Sequence, residues 1–112
     1  MSNEEYINHL KVIPPEMEVI QRYAVLPQGV RYDKNLKDKS KLLYGEIYCA
    51  TFSDGYCYKT NNYFADIFGV SKETISNLIT ELVDNGYITR EFFYKEGTKE
   101  IAYRRLQCQF LE

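Results

Sequence analysis

Residues 64–79, FADIFGVSKETISNLI, constrain this chain more than any other stretch. A small residue, Ala65, is followed four positions later by Gly69, and Ile75 comes six positions after that. Phe64, Phe68, Val70 and Leu78 fill the flanking apolar positions. Two helices that meet at a tight turn and cross closely need a small side chain in the first, glycine at the turn and a branched apolar residue in the second. Joint satisfaction of these positions predicts a helix-turn-helix.

The flanking sequence predicts its supports. Thr60 is an N-cap for a helix through Phe68, and Gly69 sits at its C-terminal end. Ser71 caps the next helix, with Thr74 in place of the usual acid of a capping box. Ile75, Leu78, Ile79, Leu82 and Val83 then form the stripe of a core-facing helix, which Asn85-Gly86 ends. Upstream, Leu42, Leu43, Ile47, Cys49 and Ala50 recur at helical spacing; Asp38 or Ser40 is the expected cap, and Ser53-Asp54-Gly55 predicts an end near Phe52. Residues 56–59 read as a very short strand. Beyond Gly86 the apolar period falls to two, predicting strands at 87–94 and 100–108 around the polar turn 95–99.

The N-terminal third is less regular. Ser2 and Glu5 form a capping-box pair before a short helix carrying Tyr6, Ile7 and Leu10, which Pro14-Pro15 interrupt. A short strand is expected at 22–26, ended by Pro27 and Gly29, and 33–36 reads as loop or a single turn. The expected class is α+β, mostly helical: a winged helix-turn-helix with a two-stranded C-terminal wing and an N-terminal extension. The domain reading is an extension at 1–21 with a dimerisation role, a DNA-binding winged-helix domain at 22–108, and a tail at 109–112 read as a cloning remnant.

Composition excludes several alternatives. Three cysteines without a Cys-x-x-Cys pair, and one histidine, make neither a metal site nor a disulfide framework, so free buried thiols are expected. The lone His9 has no nucleophile partner and no phosphate-cradling glycine loop is present, so neither an enzyme nor a cofactor is expected. The absence of a signal peptide or long apolar run predicts a cytoplasmic protein with no membrane partner. Eleven tyrosines and no tryptophan read better as half-buried packing residues than as a surface for stacking bases. The formal net charge is −2, yet residues 21–53 carry six basic against three acidic side chains, so a basic patch is expected around 31–41.

Outside the apolar stripe of the second reading helix lie Lys72, Glu73, Thr74, Ser76, Asn77, Thr80 and Glu81. Ser71, Lys72, Glu73, Thr74 and Asn77 are the candidate DNA readers: hydroxyl and amide groups suit phosphate and base contacts, and asparagine reads adenine through both its groups. Glu73 opposes phosphate unless it accepts from cytosine or pairs with Lys72. Lys59, Thr60 and Asn61 at the start of the preceding helix, and Lys95, Thr98 and Lys99 at the wing turn, complete the candidate set. Arg104 and Arg105 should point to opposite faces of their strand. So few cations predict weak affinity from one copy.

The segments VLPQGVRYDKNL, KLLYGEI, FADIFGVSKETIS, ELVDNGYI and YKEGTKEI resemble the N-terminal winged-helix domain of phage and plasmid replication proteins from Gram-positive bacteria. This replication-initiator and replisome-organiser group is similar in architecture to the N-terminal domain of the primosome protein DnaD. The resemblance covers roughly residues 22–106. It implies double-stranded DNA as partner, origin binding or replisome assembly, a homodimer built through N-terminal elements, and replication proteins such as a helicase loader met through a further C-terminal region. It places the reading role on Ser71, Lys72, Glu73, Thr74 and Asn77, and the wing role on Lys95, Thr98 and Lys99. Alternatives are a transcriptional regulator of the same fold and a self-association module without DNA contact.

Overall fold

The computed structural model describes residues 26–109. The expected N-terminal helix, the dimerisation element, positions 22–25 of the expected strand and the last three residues lie outside this range. Among the described residues the order is α1 (Gln28–Arg31), α2 (Asp38–Asp54), α3 (Asn61–Phe68), α4 (Lys72–Asp84), β1 (Ile88–Tyr94) and β2 (Ile101–Cys108).

Helix α1 has no separate counterpart among the sequence expectations. Pro27 and Gly29, the expected end of the preceding strand, open and occupy a helical turn. Proline presets φ for helix entry, here −54°, and its carbonyl accepts from Val30 and Arg31 at 3.0 and 2.9 Å. Complete burial of Val30 anchors the turn.

Neither Asp38 nor Ser40 caps α2. Lys37 holds the N-cap position, and its backbone N–H donates to a carboxylate oxygen of Glu81 in α4 at 2.7 Å. A tertiary partner thus takes the place of a local one, while Ser40 is buried in the helix. The helix also runs past Phe52 to Asp54, where Gly55 (φ +86°) closes it.

The two following helices match their local signals. Thr60 Oγ1 accepts from the Tyr63 N–H at 3.2 Å, and Gly69 ends α3 in the left-handed region (φ +66°, ψ +36°). Ser71 Oγ accepts from the Thr74 N–H at 3.1 Å and lies 3.0 Å from the Thr74 hydroxyl, so threonine replaces the capping-box acid with a hydroxyl pair. Ile75, Leu78, Ile79 and Leu82 are buried.

The hairpin pairs antiparallel from Ile88↔Cys108 to Phe93↔Tyr103, with an irregularity before Tyr94↔Ile101. The expected strand at 56–59 reduces to one bridge, Cys57↔Leu106, with N···O distances of 2.7 and 2.8 Å. One core cluster joins Val30, Leu43, Tyr44, Ile47, Phe64, Ile75, Leu82, Ile88 and Leu106. Among the described residues Cys57 and Cys108 are buried thiols; burial raises the Cys57 thiol from its ordinary range and pushes that of Cys108 up to about 12, so both pack as small apolar groups.

Candidate nucleic-acid interface

The amphipathic stripe of α4 decides what its other face offers. With Ile75, Leu78, Ile79 and Leu82 inward, Ser71, Lys72, Glu73, Ser76 and Asn77 are exposed and Thr74 is half-buried. Among the described residues Lys72 and Glu73 form no ion pair, and both are exposed to solvent. Capping consumes the Thr74 N–H and the Ile75 N–H bonds the Ser71 carbonyl at 3.1 Å, which leaves the amides of Lys72 and Glu73 at this helix start for an anion.

The C-terminal half of the outward face has other work. Thr80 accepts from Arg90 Nη1 at 3.2 Å, tying α4 to β1. Glu81, expected to face out, receives both the Lys37 N–H and the Lys37 ammonium, the latter at 3.2 Å. Lys72 and Glu81 are nine positions apart, about 13 Å along the helix axis. The basic run at 31–41 therefore sits against the far end of α4 from the candidate readers. Lys41 is also occupied, donating to the Arg31 carbonyl at 2.9 Å.

Arg104 brings the start of α3 to the wing. Its guanidinium donates to Asn61 Oδ1 and, at 2.7 Å, to the Lys59 carbonyl. Burial lowers this guanidinium from its ordinary value, yet arginine stays cationic throughout the working pH range. Asn61 is thus half-buried and engaged, whereas Thr60 caps α3 and the Lys59 ammonium lies over the Tyr63 ring, 4.5 Å from its centroid. Arg105 takes the opposite face, as the pleat requires, pairing with Glu91 at 3.1 Å above the rings of Tyr56 and Phe93.

At the wing turn, Thr98 Oγ1 donates to the Lys95 carbonyl at 2.9 Å and accepts from the Glu100 N–H at 3.1 Å. Its hydroxyl shapes the turn. Lys95 pairs with Glu100 at 2.9 Å, while Lys99 is exposed and takes part in no ion pair among the described residues. Among the described residues, Lys72 and Lys99 are therefore the candidate cations whose charge and donors are both uncommitted, at the reading helix and the wing respectively. A helix-turn-helix followed directly by this hairpin settles the architecture. The fold is a winged helix-turn-helix.

Known proteins agree at that level. A family model described as a helix-turn-helix domain matches residues 34–88, from the approach to α2 through the first residue of β1. A solved structure described as a Rep–DNA complex contains a chain with the same fold: it is 13% identical, the alignment covers 88% of this chain and 82% of that one, and the TM-score is 0.56. No curated protein matches the sequence. Among the described residues, no helix of this winged helix is long and apolar enough to cross a membrane.

Sequence reasoning missed the Arg104 bridge and the groove it borders. The alternation of β2 placed Arg104 and Arg105 on opposite faces, but the partner of each lies more than a dozen residues away in sequence, or across the hairpin.

Proposed function

We propose that this winged helix binds double-stranded DNA, with α4 entering the major groove and the wing turn meeting a neighbouring phosphate backbone. The observation that carries the reading is the exposed Ser71, Lys72, Glu73 and Asn77 set on a helix whose opposite stripe is buried in the core. Asn77 and Lys72 supply donors for bases or phosphates, and the amides at the helix start supply two more. Resemblance to phage and plasmid replication initiators, and the shared fold with a protein solved in a Rep–DNA complex, favour a role in replication initiation or replisome organisation. Helicase-loading partners and a homodimer belong to the same proposal.

A fluorescence-anisotropy titration with origin and random duplexes at two salt concentrations tests it. Neutralising two or three phosphates predicts a log K against log [salt] slope of about −2 to −3 per copy. Lys72→Ala should lower that slope by about one. Binding without salt dependence, or unaffected by Lys72→Ala and Asn77→Ala, overturns the model.

A further inference from the structure

Between the distal part of β2 and the segment leading into α3 lies an open groove of about 310 Å³. Tyr58, Phe92 and Tyr103 form much of its apolar lining, and each of these residues is 42–51% exposed. Among the described residues Lys59 and Arg104 are its charged members and no carboxylate lines it. The Arg104 guanidinium is held by an amide oxygen and a carbonyl rather than by an acid, and its Nε is buried without a partner. A partly desolvated cation with no counter-ion among the described residues, beside partly exposed aromatic rings, fits a ligand that carries both a negative charge and a flat ring.

The geometry points to an unpaired nucleotide of a DNA strand as the occupant of this groove, its base against Tyr103 and Tyr58 and its phosphate toward Lys59 and Arg104. The inference rests on the reading that the ligand is DNA, and it names a second contact separate from α4. Bases inside a duplex show only their edges to a protein, so ring-on-ring stacking requires a base that has left its stack. The volume lies at the small end of ligand pockets, which run from about 300 to 1,000 Å³, and suits one nucleotide rather than a duplex. Tyr58 and Tyr103, with centroids 6.0 Å apart and planes tilted by 59°, both line this space, and the Tyr103 ring is backed on one face by Phe93, stacked on it at 4.6 Å, so a base would meet its other face.

Full-length protein should be titrated with a labelled oligothymidylate of roughly ten nucleotides, within the usual range of single-strand site sizes, and with a duplex of equal length. Wild type should bind the single strand, and Tyr103→Ala should weaken that binding about ten-fold, the loss of one stacked base. Tyr103→Phe should retain it, and both variants should keep duplex affinity unchanged. Tyr103→Trp introduces the sole tryptophan of the chain, and its fluorescence should be quenched by the oligonucleotide. Absence of saturable single-strand binding at low salt, or equal losses for the Ala and Phe variants, overturns the inference. Competition by free thymidine monophosphate at equal nucleotide concentration would make this a mononucleotide site and overturn the strand assignment. Duplex binding without single-strand binding removes the groove and leaves the α4 reading intact; single-strand binding through Tyr103 without duplex binding does the reverse.

Discussion

Gly69 offers the sharpest test of why this helix pair turns where it does. Close crossing of two helices is the reason a glycine is expected from sequence, which makes crowding the obstacle to any side chain. The structure assigns a different cause. A Cβ built on Gly69 meets nothing within 4 Å, while φ is +66°. The cost of Gly69→Ala is therefore the left-handed backbone penalty of about 1–2 kcal/mol, offset by about 0.4–1 kcal/mol because alanine restricts the unfolded chain. A net loss near 1 kcal/mol corresponds to a fall in melting temperature of about 4 °C for a domain of this size. Urea and thermal denaturation of Gly69→Ala and Gly69→Asn measure it, with asparagine expected to cost less because it tolerates the left-handed region. Gly97 in the wing turn, at φ +71° with equally open space, provides the control and should show a similar loss on alanine substitution. A Gly69→Ala loss above about 3 kcal/mol, against a small one at Gly97, exceeds what the backbone term supplies and restores crowding as the cause.

Two further perturbations probe the long-range contacts. The Tyr87 hydroxyl reaches Asp33 Oδ2 at 2.6 Å, and this bond, with the Asn35 N–H, holds the Asp33 carboxyl below its ordinary 3.8; the same bond is the main reason Tyr87 is pushed up to about 12. Stability from the depressed acid is present above pH 3.8 and lost as pH falls below it, while stability from the raised phenol is present below pH 10 and lost toward pH 12. The gap in melting temperature between wild type and Tyr87→Phe should thus be widest between these limits and shrink on both sides; a gap independent of pH refutes the coupling. Glu81→Ala should cost about 1–2 kcal/mol in urea unfolding because the Lys37 N–H loses its acceptor. Glu81→Gln should cost less, since an amide oxygen still accepts from that N–H and the ammonium of Lys37 is largely exposed.

Local sequence determined the frame. Thr60, Gly69, Ser71 and Gly86 mark helix boundaries through interactions that reach no more than a few residues, and the change of period after Gly86 foretells the hairpin. Outward placement of Lys72, Glu73 and Asn77 follows from the same 3.6-residue repeat that buries Ile75 and Leu78. The exposure of Lys99 was legible from its place in a polar turn.

Tertiary structure decided which of those side chains remain available. Glu81 is taken by Lys37, 44 positions away, and Asn61 by Arg104, 43 positions away. Neither pairing has a local signature, because a carboxylate or an amide on a polar face looks the same in sequence whether solvent or a distant donor satisfies it. The groove beside Arg104 has the same origin: Tyr58, Phe92 and Tyr103 come from three separate segments and share a site only because the hairpin folds back on the approach to α3. Short-range chemistry shaped the reading helix. Long-range packing chose its neighbours.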